Sequence, residues 1–226
     1  PPALFRKLMR GLIDSKMGIV WTTHMRFEKS LLEDQVWQDA KASGCKYLHF
    51  GYESGNERVL KLMDKATTTE IMTKHLKYTA EAGIWNHCMG FFGFPGETRE
   101  EAWSSVEFLE QNKDYVHSLG FGTFDLGRHN PVAKHPEKFG VTAYKNPEWD
   151  LALDYYFTVK QGLSIEEAER VFEEFERNHN PGWDLRLFIR EYIFLYIAQF
   201  GLQKLPDLQF RSARVATVPP SLAGKM

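Results

Sequence analysis

Short apolar runs alternate with amphipathic stretches over roughly the first 125 residues of the chain. Four runs have the length of β-strands: Ile19–Thr23, Lys46–Tyr52, His87–Phe92 and Leu119–Phe124. The stretches between them repeat apolar residues at helical spacing, as at Leu32, Val36 and Ala40. This alternation predicts an α/β fold with a parallel sheet, either doubly wound or an incomplete barrel. In both architectures, functional residues lie just beyond the carboxyl ends of the strands.

The helical stretches carry recognisable start and stop signals. Five pairs of a hydroxyl residue and a glutamate three positions later are candidate capping boxes: Ser30–Glu33, Ser54–Glu57, Thr67–Glu70, Thr98–Glu101 and Ser164–Glu167. Gly44 and Gly83 end two of the stretches, as a left-handed helix cap requires. Because the first four pairs fall in phase with the apolar runs, they support the strand–helix alternation.

The pattern changes after residue 130. A loop rich in proline and glycine comes first, and three helices are predicted beyond it, near Glu148–Gln161, Ile165–Arg177 and Trp183–Leu202. The last of these stacks Phe188, Tyr192, Tyr196 and Phe200 along one side, a pattern more typical of a core than of a ligand cage. We therefore predict three regions: a strand–helix region over residues 1–130, a mainly helical region over 131–205, and a polar, disordered tail over 206–226.

Composition and charge exclude several functional classes. The 226-residue chain is 43% apolar with a net charge of −2, so it can bury a core and lacks the basic excess of a nucleic-acid binder. The most apolar stretch, Leu185–Leu202, contains Arg186, Arg190 and Glu191, so no membrane span is predicted. Two cysteines and no signal peptide indicate a cytoplasmic protein. Since the chain opens inside a helical stripe without Met, we expect it to be part of a longer polypeptide.

Glu53 is the first candidate functional residue. It ends an apolar run and precedes a helix, so its carboxylate is expected at the carboxyl edge of the sheet, where it can accept two hydroxyls of a ribose. An ion pair with Lys65 or Arg58 that only supports the turn is an equally good interpretation of the same residue.

The segment Gly90–Thr98 is the second candidate. Its glycines allow a ligand to approach the backbone closely, and its phenylalanines offer an apolar wall to a flat ring. The spacing matches neither the dinucleotide fingerprint nor the phosphate-binding loop. The alternative is a tight turn capped by Thr98, which holds with or without a ligand.

Together these segments resemble the radical S-adenosylmethionine (SAM) superfamily, and are most similar to the branch with cobalamin-dependent methyltransferases and cyclases. The resemblance covers about residues 15–130 and rests on the following positions in order: Gly51–Leu60, Met63, Lys65, Thr67, Ala82–Ile84 and Gly93–Thr98. It implies a partial (β/α)6 barrel like a TIM barrel, in which the four apolar runs are strands three to six. A mainly helical C-terminal region follows.

The resemblance also implies roles for individual residues. Glu53, with Ser54, contacts the ribose or methionine part of SAM, Phe92 and Gly93 lie against adenine, and Arg26 faces the SAM carboxylate. Four residues after the last run border the cofactor or substrate: Asp125, Arg128, His129 and Asn130. His129 is the least secure of the set, because a histidine in a loop more often caps a turn or faces solvent.

The chain departs from the family in its cysteines. Radical SAM enzymes hold a [4Fe–4S] cluster through three closely spaced thiolates, whereas Cys45 and Cys88 are too few and too far apart, and each is more typical of a buried core thiol. The resemblance therefore implies the second part of a barrel, with the missing N-terminal part as its partner. The expected parent enzyme cleaves SAM reductively to start radical chemistry on a small molecule, with cobalamin as an option. This chain alone is expected to be inactive and to hold no cofactor stably.

Two alternatives and one physical consequence accompany this interpretation. The chain could instead be a barrel-like scaffold or binding module that has lost the cluster, or a hydrolase or lyase that uses Glu53 and His129 without iron. In the half-barrel interpretation the sheet has an open edge at its first strand, where strand two of the family would pair. We therefore expect the chain to self-associate through this edge.

Overall fold

A computed structural model of the chain describes residues 2–144, 153–178 and 191–201. The strands within these residues are β1 (Trp21–Met25), β2 (Cys45–Glu53), β3 (Trp85–Phe92), β4 (Ser118–Thr123), β5 (Leu126–Gly127), β6 (Val141–Tyr144) and β7 (Asp154–Val159). The α-helices are α1 (Pro2–Ser15), α2 (Asp34–Ala42), α3 (Glu57–Leu62), α4 (Thr69–Glu81), α5 (Arg99–Gln111), α6 (Pro131–Lys134), α7 (Ile165–Asn178) and α8 (Glu191–Phe200). No helix in the described part of the chain is long and apolar enough to cross a membrane.

The four predicted apolar runs form one parallel sheet in the order β1-β2-β3-β4. Each strand pairs with the next one along the chain, and its bounds lie within two residues of the predicted ones. The predicted α/β class with a parallel sheet is confirmed. Because the strands are parallel, their carboxyl ends meet at one edge.

Helices cover one face of this sheet. Leu48, Phe50 and Tyr52 of β2 are fully buried on that face and belong to one apolar cluster with Trp37 of α2 and Leu76 of α4. Full burial of a side chain of this size contributes roughly 1.5–3 kcal/mol, so this layer is a main source of stability.

The other face of the sheet is the one that lines the inside of a barrel, and we call it the inner face. Tyr47 and His49 alternate with the cluster residues of β2, so they lie on the inner face, where both are buried. Helix α8 lies against β2, and its buried Ile197 is not part of the cluster on the helix-covered face. We therefore place α8 over the inner face of β2.

The helix signals are partly confirmed. Gly44 and Gly83 take positive φ angles of 97° and 76°, as predicted for left-handed caps. Thr98–Glu101 and Ser164–Glu167 form reciprocal capping boxes. The other three predicted boxes are wrong, because the residues at the N-caps of α2, α3 and α4 are Glu33, Asn56 and Thr68.

The predicted helix Glu148–Gln161 is wrong where the structure describes it. Residues Asp154–Val159 form β7, which lies between β5 and β6 in a small antiparallel sheet. The stretch is rich in aromatic and β-branched residues and alternates an exposed Tyr156 with a buried Phe157, which favours a strand. The region after residue 130 therefore holds a small sheet as well as helices.

The later C-terminal predictions meet the structure only in part. Helix α7 coincides with the predicted Ile165–Arg177, and α8 falls inside the predicted Trp183–Leu202. Phe188, the side chain of Tyr192 and the predicted tail at 206–226 lie outside the described residues. Within the described part, the rings of Tyr196 and Phe200 pair at 4.8 Å between centroids.

Two apolar clusters join the C-terminal elements to the parallel sheet. Phe175 of α7 packs with Phe92 of β3 and Val106 of α5 on the helix-covered face. The small sheet and α6 pack beyond the carboxyl ends of the strands, where Phe157 meets Phe94 and Phe124. The C-terminal elements thus lie beside the edge at which functional residues are expected.

Candidate functional site

The carboxyl edge of the parallel sheet brings together the ends of all four strands, at Met25, Glu53, Phe92 and Thr123. Arg26 follows β1 and Asp125 follows β4, so the two lie at opposite ends of this edge. Three strand spacings of about 4.8 Å separate β1 from β4, or roughly 14 Å. A ligand that contacts both ends must therefore be an extended molecule.

Glu53 lies at the centre of the edge in an unusual conformation. Its φ angle of 63° is in the left-handed region, next to a register shift between Gly51 and Glu53. A non-glycine residue held there carries a strain of about 1 kcal/mol or more. A Cβ atom on Gly51 would lie 3.1 Å from the Glu53 Oε1 atom, so Gly51 leaves room for this carboxylate on the inner face.

Glu53 forms an ion pair with Lys65, one of its two predicted partners. Lys65 donates from Nζ to Glu53 Oε1 at 2.7 Å, and both side chains are about a quarter exposed. Arg58, the other predicted partner, binds Glu101 and the Gly96 carbonyl instead. The ion pair does not close the site, because a partly exposed carboxylate fixed by a lysine can still accept hydroxyl groups.

Ser54 does not face the same way as Glu53. It is fully buried, its hydroxyl lies 3.0 Å from that of Ser105 on α5, and it accepts a hydrogen bond from the Asn56 amide. Tyr52 donates to the Ser105 carbonyl beside it. This side chain anchors the β2–α3 turn to α5, and the predicted role of Ser54 toward SAM stays a prediction.

Phe92 also points away from the inner face. Its side chain is fully buried between α5 and α7, with its ring centroid 5.7 Å from that of Phe175. The Phe92 ring is therefore part of the core on the helix-covered face, and its predicted contact with adenine stays a prediction. Phe91, which alternates with Phe92 along β3, is the phenylalanine on the inner face.

Gly93 is required by packing within the protein. Its φ angle is 85°, and a Cβ atom added to it would lie 2.5 Å from the Cβ atom of Ala168 on α7. Its amide donates to Glu97 Oε2 at 2.6 Å. Glu97, fully buried in the β3–α5 turn, was not singled out from the sequence, where its only signal is a carboxylate inside a glycine–proline turn.

The residues after β4 face the small sheet. Asp125 is largely exposed. Loss of part of its hydration, followed by the nearby Asp154 carboxylate, raises its pKa above the usual value. The Arg128 guanidinium lies 5.9 Å from the centre of the Tyr155 ring, and its amide donates to the Leu153 carbonyl. His129 is exposed. These residues adjoin the edge but lie two strands away from Glu53, so a joint catalytic role for Glu53 and His129 has no support in the geometry.

Arg26 is exposed at the other end of the edge. It lines an open cavity of about 340 Å³ between β1 and α1, together with His24 and Glu28. The predicted role of Arg26 toward the SAM carboxylate stays a prediction, and the position at this edge is compatible with it.

A row of histidines crosses the inner face and was not expected from the sequence. His24, His49, His87 and Ser118 are register partners on the four successive strands. The rings of His24 and His49 stack at 4.3 Å, and His87 Nδ1 lies 2.8 Å from the Ser118 hydroxyl, which also accepts from Trp85. Burial and the neighbouring imidazoles lower the pKa of His87 to about 3, so it is neutral.

Neither the histidine row nor the cysteines form a metal centre. No group of three or more metal-binding side chains is arranged around one point within the residues that the structure describes. Cys45 and Cys88 are buried, and burial raises the pKa of each thiol well above its usual value. Protonated thiols of this kind are poor metal ligands, so the chain itself does not fit an iron–sulfur cluster.

The parallel sheet and its polar edge define an α/β protein whose candidate ligand site lies at the carboxyl ends of the strands. The family model described as the radical SAM superfamily matches residues 4–109. The resemblance to this superfamily that the motifs predicted is confirmed over this part of the chain.

Curated relatives extend the match. An uncharacterized methyltransferase of Pyrococcus horikoshii is 31% identical over 97 residues, which cover 42% of this chain and 20% of that protein. The cytidylyl-2-hydroxyethylphosphonate methyltransferase of Streptomyces wedmorensis is 27% identical over 79% of this chain and 34% of its own length. The chain thus spans about a third or less of these two relatives.

Solved structures support the fold. The radical SAM methyltransferase TsrM of Kitasatospora setae, solved with cobalamin and a [4Fe–4S] cluster, superposes with a TM-score of 0.51 at 18% identity over 75% of this chain and 34% of its own. The coproporphyrinogen III oxidase HemN of Escherichia coli gives 0.54 at 16% identity over 78% of this chain and 36% of its own. The predicted barrel-type fold is confirmed.

Proposed function

We propose that the chain supplies one side of the SAM pocket of a radical SAM enzyme. The observation that carries this proposal is Glu53, held by Lys65 at the carboxyl end of β2 within the region that matches the superfamily. In the whole enzyme these residues would hold SAM, and an iron–sulfur cluster beside it would supply the one-electron chemistry that cleaves SAM reductively.

The residues of this chain fit SAM but not the cluster. Glu53 offers a carboxylate acceptor for the ribose hydroxyls, and the ion pair with Lys65 orients that carboxylate. Phe91 offers an apolar surface on the inner face. The three thiolates for a cluster must come from residues other than Cys45 and Cys88, since both are buried and protonated.

The C-terminal elements contribute by excluding water. Phe94, Phe124 and Phe157 pack together just beyond the ends of β3 and β4. An apolar wall at this place lowers the local dielectric, which strengthens each polar contact to a bound molecule. It also separates a reactive intermediate from solvent, which radical chemistry requires.

We propose methyl transfer with cobalamin as the reaction subclass of the whole protein. Support comes from the relatives, because the Pyrococcus and Streptomyces proteins carry methyltransferase names and TsrM was solved with cobalamin. We further propose a small-molecule substrate and a reducing cytosolic setting, which the two free cysteines support.

The test uses the whole protein that contains these residues, reconstituted with iron and sulfide without oxygen. SAM binding by calorimetry and release of 5′-deoxyadenosine are expected for the wild type. Glu53→Gln should weaken SAM binding about tenfold or more, since a charge-assisted contact to the ribose is worth roughly 1.5–3 kcal/mol. Glu110→Gln, at an exposed position of α5, is the matched control and should bind SAM like the wild type.

Two results would contradict the proposal. One is a wild type that binds no SAM despite a complete cluster, and the other is an unchanged affinity in Glu53→Gln. The double variant Cys45→Ser with Cys88→Ser should keep the full cluster absorbance, because neither thiol is a ligand. The isolated chain should gain no such absorbance.

A further inference from the structure

Glu97 closes the turn between β3 and α5 from within. Its side chain is fully buried, and its Oε2 atom accepts a hydrogen bond of 2.6 Å from the Gly93 amide. Its own amide donates to the Phe94 carbonyl at 2.8 Å. One carboxyl group therefore fixes the backbone at the carboxyl end of β3, which is part of the proposed SAM pocket.

The C-terminal segment packs directly on the backbone of Glu97 and Gly93. The Leu163 amide donates to the Glu97 carbonyl at 2.8 Å, and a Cβ atom on Gly162 would lie only 2.6 Å from that same oxygen. Ala168 of α7 covers Gly93. The turn and the segment 162–168, which we call the arm, are thus in direct contact through the Glu97 and Gly93 backbone.

The buried carboxyl group is incompletely satisfied. Glu97 Oε1 has no hydrogen-bond partner within the described residues. An ionised carboxylate with a free oxygen in such a place costs several kcal/mol, whereas the protonated form costs far less. Burial is the largest cause that raises the pKa of Glu97, to about 7, and the Gly93 hydrogen bond only partly opposes it.

The charged groups around Glu97 do not neutralise it. Glu101 of α5 raises the Glu97 pKa further, while Arg58 of α3 lowers it only weakly because its guanidinium binds Glu101. Tyr52 of β2 stays neutral, since burial raises its own pKa. On the arm, the acidic residues Glu166 and Glu167 are exposed.

We propose that Glu97 is a proton-dependent positioning residue. While it carries a proton, it holds the Gly93 turn closed against the arm. When it ionises, this contact between the turn and the arm, which we call the joint, loosens. The closed joint binds a proton that an opened, hydrated Glu97 releases, so rising pH favours opening. Since the turn supports the proposed SAM pocket, SAM binding should weaken in the same direction. This last step rests on the proposed function.

Amide hydrogen exchange tests the joint without SAM. In the whole protein, exchange of the peptide 90–98 is measured from pH 6 to 8.5 and corrected for the intrinsic rate. The opening equilibrium should rise about tenfold between pH 6 and pH 8.5 in the wild type, as linkage to one acid whose pKa is about 7 in the closed state requires. Glu97→Gln, which is always uncharged, should remain protected throughout, and Glu110→Gln should behave like the wild type.

A pH-independent wild-type profile would overturn the inference without any variant. The same follows if Glu97→Gln, shown by circular dichroism to be folded, keeps the wild-type pH dependence. A purely structural glutamate would change the overall protection but not its pH profile.

SAM affinity provides the second readout. In the reconstituted wild type, the dissociation constant should be higher at pH 8.5 than at pH 6.5 by up to about fourfold, and it should be equal at both pH values in Glu97→Gln. No SAM binding at either pH contradicts the proposed function but leaves the exchange result standing. SAM binding with the same pH dependence in both proteins contradicts the inference about Glu97.

Discussion

Gly93 is the residue at which the sheet, the proposed pocket and α7 meet. Two separate requirements exclude a side chain there: the φ angle of 85° and the 2.5 Å separation that a Cβ atom would have from Ala168. The first is a property of the local backbone, and the second depends on a residue 75 positions away. Substitutions can therefore separate them.

Gly93→Ala should lower the free energy of unfolding by about 2–4 kcal/mol, because left-handed strain adds to the clash with Ala168. Gly93→Ala combined with Ala168→Gly should recover only the part caused by the clash. Gly122→Ala is the matched control, since nothing lies within 4 Å of its added Cβ atom. Urea unfolding measures all three, and equal losses in the single and double variants would refute the steric contact.

His87 links stability to pH on the acid side. Its pKa is lowered to about 3, so protonation below the unfolded value of 6.5 disfavours the folded state, and stability falls as the pH decreases from 6.5 toward 3. His87→Asn should remove up to about 3 kcal/mol of this loss at pH 4. The exposed His129→Asn is the control. Denaturant titrations at pH 7 and pH 4 measure the free energy of unfolding. The same loss between the two pH values in both variants would argue against a role of His87.

The sequence shows why some site residues were found and others were not. Glu53 was placed correctly because a polar residue that ends an apolar run marks the carboxyl end of a strand. The choice between Phe91 and Phe92 could not be made, since a parallel strand covered on both faces is apolar on both. The histidine row depends on the register between strands, which no single strand reveals.

At the scale of elements, the parallel sheet was predictable and the small antiparallel sheet was not. The four strands are separated by helices with clear caps, so local signals define them. Strand β7 forms because it pairs with β5 and β6. These two strands adjoin a loop that has no apolar run of strand length, so the sequence did not indicate them. Capping boxes failed where a neighbouring residue made a better cap, as Asn56 does by accepting from the Arg58 and Val59 amides.

Helix α7 should act as the clamp of the β3–α5 turn. Phe175 is 2% exposed and its ring lies 5.3 Å from that of Phe121 and 5.7 Å from that of Phe92. Phe175→Ala should reduce the free energy of unfolding by about 3–5 kcal/mol, the usual cost of a lost core phenylalanine. It should also raise hydrogen exchange in the peptide 90–98.

The exposed Glu169→Ala on the same helix is the control for this change and should cost less than about 0.5 kcal/mol. If Phe175→Ala lost stability but left exchange at 90–98 unchanged, α7 would not clamp the turn.

At the scale of the whole molecule, the side of β1 that has no strand partner within the described residues is the feature most open to association. Strand β1 is at the end of the sheet order and pairs with β2 on one side. Ile19 and Val20, just before it, are 43% and 41% exposed. Unpaired strand backbone next to exposed apolar residues favours pairing with another chain.

We therefore expect this chain to form dimers or larger species when the polypeptide described here is studied alone. Ile19→Lys combined with Val20→Lys should shift the distribution toward monomer, because charges at a strand edge oppose edge-to-edge pairing. Lys7→Glu on the outer side of α1 is the control. Light scattering over a dilution series measures the mass, and a wild type that is monomeric at all concentrations would contradict the expectation.

The contact between the arm and the β3–α5 turn also limits how this protein can be recombined with its relatives. A chimaera that keeps the barrel strands and takes its C-terminal region from another protein must retain a very small residue opposite Gly93 and a glycine opposite the Glu97 carbonyl. In a library of such chimaeras, the residues at positions 162 and 168 should separate the folded proteins from the unfolded ones, whatever substrate each parent uses. The C-terminal region is therefore specific for its barrel, and an exchange of modules has to keep both contacting surfaces, the β3–α5 turn and the arm.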